Sequence, residues 1–318
     1  MHYKGGGMKK FIKSSWIIAA LLLSHGCYGY FYELFINDKI INKNTNKRQL
    51  IIALSDYHLK SHPVNKIQRA YIESLLKKCA AIKGKLIVED LSSVNNDGRM
   101  VCCNFGVNCS EGVLGQLANK ARALGIAVDN VEYRYCRVAG IGPLLSNIEV
   151  NPHSFKSSST ITTSSLHKEV VNEIEKIRRY NDGKLLNNLY KRAVATVQIA
   201  LLKMNFNNKN MTVADYGESL QRKELEKICI FDSALIDMNI MHAIAAGSQD
   251  PFIVIIAGGS HIEQVNLLLK RMGYKSVLKK TAIAAPIVKK VLNSDTADVP
   301  SDIHPEPIDI TILDEFIP

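Results

Sequence analysis

The chain alternates short apolar runs with longer segments whose apolar residues recur every three or four positions. Residues 51–54 and 252–257 have the length and apolarity of buried strands, and the spacing from Val64 to Cys79 is typical of an amphipathic helix. Strands that alternate with helices are characteristic of βαβ units. We therefore predict an α/β fold with a mainly parallel central sheet flanked by helices.

The same pattern predicts the order of the elements. Strands are expected at 51–54, 86–88, 126–128, 252–257 and, on an edge, 275–278; helices are expected at 64–79, 111–124, 167–204 with a break at 181–183, 223–246 and 262–272. Gly125 and Gly273 are expected to end two of these helices, because glycine readily takes the left-handed conformation that follows a helix. Residues 151–165, rich in Ser and Thr, are expected to form a linker or mobile loop.

The pattern also divides the chain into regions. We expect an α/β domain over 50–285, a helical insertion or cap at 166–247 inside it, and a loosely attached C-terminal tail at 286–318.

The first 29 residues have the composition of a secretory leader. Lysines precede an apolar run at 16–23, and small residues follow it. We predict a cleaved signal peptide at 1–29 and a linker at 30–49. A retained membrane anchor is the alternative, because apolar residues resume at 28–35, and lipid modification of Cys27 is a third. The protein is therefore expected to be exported, whether periplasmic, secreted or anchored and associated with a membrane through its N-terminus.

The distribution of charge bears on the binding partners of the protein, and the number of cysteines bears on its cellular compartment. The net charge of +10 comes from lysines scattered along the chain, and no motif for nucleic acid is present, so no nucleic-acid partner is expected. Removal of the leader leaves six cysteines, and an even number suits an oxidising compartment. A disulfide is expected among Cys102, Cys103 and Cys109, and the pairing stays open.

Polar residues follow three of the predicted strands. His58 closes the segment Ser55-Asp-Tyr-His58, Glu89 follows the second strand, and His261 closes Gly258-Gly-Ser-His261. Because ligands bind beyond the carboxyl ends of parallel strands, these side chains are expected in one cleft. Two histidines and a carboxylate suit either a catalytic divalent metal or metal-free acid and base chemistry. The competing interpretation is that each histidine is an ordinary loop residue and that Gly258 merely permits a turn with positive φ.

Several other classes of site are excluded by sequence. The chain contains no Gly-x-Gly-x-x-Gly after a strand, no Walker loop, no Gly-x-Ser-x-Gly and no His-Glu-x-x-His. These absences argue against nucleotide-dependent enzymes, ordinary serine hydrolases and one large class of zinc peptidases.

The ordered motifs resemble the superfamily of TraB, Tiki, ChaN-like and erythromycin-esterase proteins. That superfamily has paired Gly-x-x-His motifs, a carboxylate after the second strand, and an Asn-containing helix before the second histidine motif. Here the corresponding segments are Ser55-Asp-Tyr-His58, Glu89, Asp237-Met-Asn-Ile-Met241 and Gly258-Gly-Ser-His261. The second motif fits fully, whereas the first has Ser55 in place of glycine and Asp56 as its acidic residue. The resemblance spans residues 50–278.

The resemblance implies roles for particular residues. His58, Glu89 and His261 correspond to the site residues and would hold a divalent metal ion (Mn, Co or Zn) or transfer protons. Glu132 and Arg134 look like the acid and arginine often found after the third strand, and Arg134 would hold a substrate carboxylate or an oxyanion. Asp237 and Asn239 would orient His58 or His261, and Asp56 would also support the site.

We expect a hydrolase of the TraB/Tiki type, in which metal- or histidine-activated water attacks the carbonyl of a peptide or small ester. The alternatives are a non-catalytic, ChaN-like protein that binds haem or iron, and an inactive relative that acts as an interaction module. The sequence leaves the oligomeric state open.

Overall fold

The computed structural model describes residues 31–42, 44, 47–56, 64–90, 113–132, 162–177, 184–203 and 222–281. These residues form six strands: β1 (Phe31–Asn42), β2 (Lys47–Asp56), β3 (Lys85–Val88), β4 (Ala127–Asn130), β5 (Phe252–Gly258) and β6 (Lys275–Thr281). They also form six helices: α1 (Val64–Ala81), α2 (Val113–Ala123), α3 (Thr163–Ile177), α4 (Lys184–Lys203), α5 (Arg222–Ala246) and α6 (Gly259–Arg271). The predicted leader, cysteine cluster and C-terminal tail lie outside the described residues.

The strands form one mixed sheet in the order β4-β3-β5-β2-β1-β6. Strands β4, β3, β5 and β2 pair in parallel, whereas β1 pairs antiparallel with both β2 and β6. The α/β class is confirmed, and the prediction of a mainly parallel sheet is wrong. The physical reason is the segment 30–49: it was predicted as a linker, but it forms β1 and the start of β2, and strands joined by so short a turn pair antiparallel.

Both faces of the sheet are buried, as apolar strand runs require. Even-numbered side chains of β2, β3 and β5 pack against α1 and α2. On the strands they include Ile52, Leu54, Leu86, Val254 and Ile256, and on the helices their partners include Leu75 and Leu117. Odd-numbered side chains such as Ile51, Ile253 and Ile255 are also fully buried, on the other face. Helix α6 contacts β1, β2, β5 and β6. Crossovers between parallel strands are right-handed, so two crossovers that run in opposite directions along the sheet place their helices on opposite faces. The connection β5-α6-β6 runs opposite to β2-α1-β3, and α6 therefore lies on the second face.

Polar contacts secure the amino ends of the parallel strands. The buried Gln49 side chain donates to Gly247 O at 2.8 Å and to Asp250 O at 3.0 Å, and the Tyr274 hydroxyl donates to its Oε1. Lys85 pairs with Asp129 and donates to Ala243 O at 3.2 Å. These contacts explain why β2 and β3 begin earlier than their apolar runs predict, since each polar residue is satisfied where it is buried.

The described residues fall into two compact units, divided within α5 after Leu235. One unit contains α3, α4 and the first part of α5, and the other contains the sheet, α1, α2, α6 and α5 from Ile236. In the first unit, the Tyr190 hydroxyl donates to Ile174 O at 2.9 Å and joins α4 to α3. Helix α3 begins at Thr163, inside the segment predicted as a loop, because Thr162 Oγ1 accepts the Ser165 N–H and caps the helix.

Within the described residues, the segment Glu226–Ala246 of α5 is long and apolar enough to cross a membrane, and 62% of its most apolar window is buried inside the protein. The buried core helix of a soluble protein passes the same test of length and composition.

Candidate active site

The parallel strands β3, β5 and β2 bring three side chains to the same level at their carboxyl ends. Ser55 is the Cα partner of Ala257, and the Glu89 N–H donates to Ile256 O at 3.0 Å, which extends the β3–β5 register past Val88. Because alternate side chains point to opposite faces, Ser55, Ala257 and Glu89 share the face that α6 covers. The strand order therefore builds a row of three residues beside the start of α6.

His261 lies in the first turn of α6 and is bonded to Asp237 of α5. Its Nδ1 is 2.7 Å from Asp237 Oδ1, and 7% of the histidine side chain is exposed. An ionised carboxylate only accepts hydrogen bonds, so Nδ1 carries the proton in this pair. The tautomer so fixed places the lone pair on Nε2, the nitrogen on the side of Glu89.

Glu89 faces the other nitrogen of the same ring. His261 Nε2 lies 3.8 Å from Glu89 Oε1, which is longer than a hydrogen bond. The second oxygen, Oε2, accepts the Gly258 N–H at 2.8 Å. The carboxylate is thus anchored through one oxygen, while the other faces the imidazole at a distance that suits a shared ligand atom.

Gly258 supports this arrangement through its backbone. It precedes the first helical residue of α6 with φ −56° and ψ 147°, and no side chain caps the helix there. The glycines with positive φ in the described residues are Gly125 and Gly273, the two predicted helix-ending glycines. The turn therefore does not require positive φ at Gly258, which corrects the interpretation offered by the sequence. Glu89 also has a structural role at this turn, because its negative charge is favourable at the N-terminus of α6.

Asn130 is a site-positioning residue that the sequence did not indicate. Its Oδ1 accepts the N–H groups of Asp90 at 3.2 Å and Glu132 at 3.1 Å, and its Nδ2 donates to Asp90 O at 2.9 Å. The amide thus joins the ends of β3 and β4 directly after Glu89. An Asn at the last position of a strand is a weak signal, because Asn is equally common in turns.

The remaining predicted residues divide into two groups. Asp56, Glu132 and Asn239 are buried at 2%, 0% and 6% exposure. Strand alternation points the Asp56 side chain to the α1 face, so the structure does not bring it together with Glu89 and His261. His58 and Arg134 lie outside the described residues.

Two atoms of the described residues are of a type that could contribute to the predicted metal site, one imidazole nitrogen of His261 and one carboxylate oxygen of Glu89. Both are ligand types that Zn and Mn accept, and Asp237 supplies the carboxylate behind the histidine that such sites usually contain. Within the described ranges, no group of three or more His, Cys, Asp or Glu side chains is placed to hold a metal ion. His261 and Glu89 could thus supply two ligands to a metal ion, and the predicted third ligand is His58.

Comparison of the chain with known protein families, characterised proteins and solved structures finds no match. The resemblance to the TraB, Tiki, ChaN-like and erythromycin-esterase superfamily therefore stays a prediction that rests on the motifs. In the structure, the second motif is the turn from β5 into α6, and Asp237 of the preceding helix contacts its histidine.

Proposed function

We propose that this chain is an exported hydrolase of the TraB/Tiki type, in which activated water attacks the carbonyl of a peptide or small ester. The observation that carries the proposal is that His261 has a carboxylate beside each ring nitrogen, with 2.7 Å between Asp237 Oδ1 and Nδ1 and 3.8 Å between Nε2 and Glu89 Oε1. A buried histidine held in one tautomer by a neighbouring carboxylate is a common general base. The export part of the proposal rests on the leader-like composition of residues 1–29.

The proposed chemistry follows from the two ring nitrogens. Water between Nε2 and Glu89 Oε1 gives its proton to His261 as its oxygen attacks the carbonyl carbon, and the Asp237 carboxylate stabilises the imidazolium that forms. Glu89 orients the water through the oxygen that does not bind Gly258. His261 then returns the proton to the leaving group, and the products are a carboxylic acid and an alcohol or amine.

A divalent metal ion is compatible with the same residues. His261 Nε2 and Glu89 Oε1 would hold it, with His58 as the predicted third ligand, and the ion would supply Lewis acidity at the carbonyl. In that case Asp237 keeps its role, because it still fixes the nitrogen that faces the ligand.

The direct test is hydrolysis of p-nitrophenyl acetate and of a fluorogenic peptide mixture by the protein begun at Tyr30. We expect His261→Ala and Glu89→Gln each to lower kcat/KM by about 10²–10⁴-fold, because the first removes the general base and the second removes the charge that orients the attacking water. Asp237→Asn should lower kcat/KM by about 10²-fold or more, because the proton of His261 is then no longer held on Nδ1. His167→Ala, in the other unit, is the control and should hydrolyse as the wild type does. Unchanged rates in His261→Ala would overturn the proposal.

Metal content decides between the two versions of the mechanism. Elemental analysis of wild type and His261→Ala, purified identically, should show stoichiometric Mn, Co or Zn only in the wild type if a metal is used. Wild-type hydrolysis that persists in chelator supports the metal-free version. A coloured preparation with a Soret band that is lost in His261→Ala, together with no hydrolysis, would support the haem-binding alternative instead.

A further inference from the structure

We infer that the Ser55 hydroxyl holds the carbonyl oxygen of the substrate and stabilises the negative charge that develops there. This inference rests on the proposed function and adds a residue to it, because Ser55 entered the sequence comparison only as a departure from glycine. Three observations carry it: the burial of its hydroxyl, its place in the strand register, and the ordinary geometry of its backbone.

The Ser55 hydroxyl is buried without a hydrogen-bond partner among the described residues. Ser55 is 0% exposed, and its Oγ contacts no donor or acceptor there. Burying a hydroxyl without a partner costs free energy, so such a group usually serves a ligand or an ordered water. Alanine would fill the same space without that cost. The hydroxyl is therefore a candidate group for binding a polar atom of a ligand.

The register places this hydroxyl on the far side of Ala257 from Glu89. Ser55 pairs with Ala257 of β5, and Glu89 lies at the same level beyond β5. Adjacent strands are about 4.8 Å apart, so the Cα atoms of Ser55 and Glu89 are about 10 Å apart, with Ala257 of β5 between them. Ser55 and Glu89 therefore flank Ala257 on the face of the sheet that carries His261.

In the proposed reaction, His261 and Glu89 act on the water, and Ser55 acts on the carbonyl oxygen. As the water oxygen bonds to the carbonyl carbon, its proton passes to His261 Nε2 and the π electrons of the C=O bond move to the oxygen. The Ser55 O–H donates to that oxygen, where a preorganised donor is most effective in a buried site. When the tetrahedral species collapses, the C=O bond re-forms, the bond to the leaving group breaks, and His261 returns the proton to it.

The backbone at Ser55 shows why a side chain is tolerated there. Ser55 is an ordinary residue of β2, and the non-glycine residue with positive φ in the described ranges is Lys83. Glycine is therefore not required at this position. The hydroxyl is an addition to the site, and the backbone bears no strain on account of it.

The test compares Ser55→Ala with Thr163→Val, the matched control. Thr163 Oγ1 is also buried without a partner among the described residues, at 2% exposure, but it lies in the other unit. With p-nitrophenyl acetate we expect Ser55→Ala to lower kcat by about 10²-fold and leave KM unchanged, because an oxyanion donor acts in the transition state. The midpoint of thermal unfolding should stay level or rise, because a desolvated hydroxyl is removed. Thr163→Val should leave kcat unchanged.

Each other outcome has a definite meaning. If His261→Ala abolishes hydrolysis but Ser55→Ala does not change kcat, the inference fails and the proposed function stands. A lower unfolding midpoint in Ser55→Ala would show that the hydroxyl binds a structural water, which also overturns the inference. If wild type hydrolyses neither the ester nor the peptide probes, or if His261→Ala hydrolyses as wild type does, the proposed function fails and this inference fails with it.

Discussion

At the scale of single residues, burial decides what each polar group can do. His261 is buried with a carboxylate on each side, whereas Cys79 of α1 is buried in the apolar core. A buried histidine between carboxylates remains chemically useful, because the protein supplies partners for its protonated form. A buried thiol among apolar side chains has no such partner and becomes inert.

Cys79 should resist thiol reagents in the folded protein. Burial, and secondarily the charge of Asp250, raise the pKa of its thiol to about 12, so almost no thiolate forms at pH 8. We expect iodoacetamide at pH 8 to leave Cys79 unmodified in the native state and to alkylate it in urea, as read by peptide mass spectrometry. Cys79 is a free thiol, so it takes no part in a disulfide. Rapid native-state alkylation at Cys79 would contradict the assigned environment.

The raised pKa of Cys79 also fixes the sign of a stability effect in alkali. Between pH 9 and about 12 the unfolded thiol loses its proton while the folded thiol keeps it, so the free energy of unfolding falls as pH rises. Cys79→Ala should flatten this part of the profile in denaturant titrations. An unchanged slope would show that other groups cause it.

Gly84 and Lys83 occupy one turn, and their substitution should have opposite effects. A Cβ at Gly84 would lie 2.6 Å from Cys79 Sγ and 2.7 Å from Phe252 O, so Gly84→Ala should destabilise the protein by about 1–3 kcal/mol. Lys83 has φ 54°, and Lys83→Gly should stabilise it by up to about 1 kcal/mol by relieving that strain. Urea unfolding measures both. A tolerated Gly84→Ala would mean that β5 can shift at Phe252.

At the scale of elements, one acidic side chain links α1 to α2. Glu73 of α1 pairs with Lys120 of α2 and with Arg69 at 3.1 Å, and Arg69 also donates to Gln116 Oε1 at 2.6 Å. The hydrogen bond from Lys120, followed by that from Arg69, lowers the pKa of Glu73 below its usual value. The pairing couples the two helices that cover the even-numbered face of the sheet.

Glu73→Gln should therefore lower the free energy of unfolding at pH 7 by up to about 1 kcal/mol, since the pair is partly exposed. A lowered carboxyl pKa stabilises the fold fully above the unfolded-state value and progressively less as pH falls through the folded-state value. The difference between wild type and Glu73→Gln should hence disappear in acid. Lys120→Met, which removes the partner, is the matched control. A difference independent of pH would point to packing at this position.

At the scale of the whole molecule, β1 joins the parallel strands to β6. It pairs with β2 along its length and with β6 from Glu33 to Asp38, and its Phe35 and Ile36 are buried. Without it, β2 would expose an unpaired edge and β6 would lose its neighbour, which favours aggregation.

A chain begun at Leu50 should therefore fail to give soluble, cooperatively unfolding protein, whereas a chain begun at Tyr30 should give it. The first retains every segment of the family resemblance and differs by the loss of β1 and of residues 47–49 at the start of β2. Solubility and urea unfolding by circular dichroism measure the difference. A soluble chain from Leu50 with the same unfolding midpoint would show that β1 is dispensable.

The sequence by itself determined what depends on local chemistry. The spacing of apolar residues predicted the helices α1, α2, α5 and α6 and the strand β5. The preference of glycine for positive φ predicted that Gly125 and Gly273 end helices. It also drew attention to Glu89 and His261, because polar residues directly after buried strands are conspicuous against an apolar pattern, and the resemblance to the superfamily added Asp237.

The tertiary structure decided what depends on pairing between distant segments. Only strand order shows that β1 is an antiparallel strand, since the apolar residues at 28–35 fit a membrane anchor as well as a strand. Only register shows that Ser55 faces the same side as Glu89 while Asp56 faces away, because one residue of shift exchanges the two faces. The contact of Asp237 with His261 likewise depends on how a helix and a strand end meet, and local sequence carries no information about that meeting.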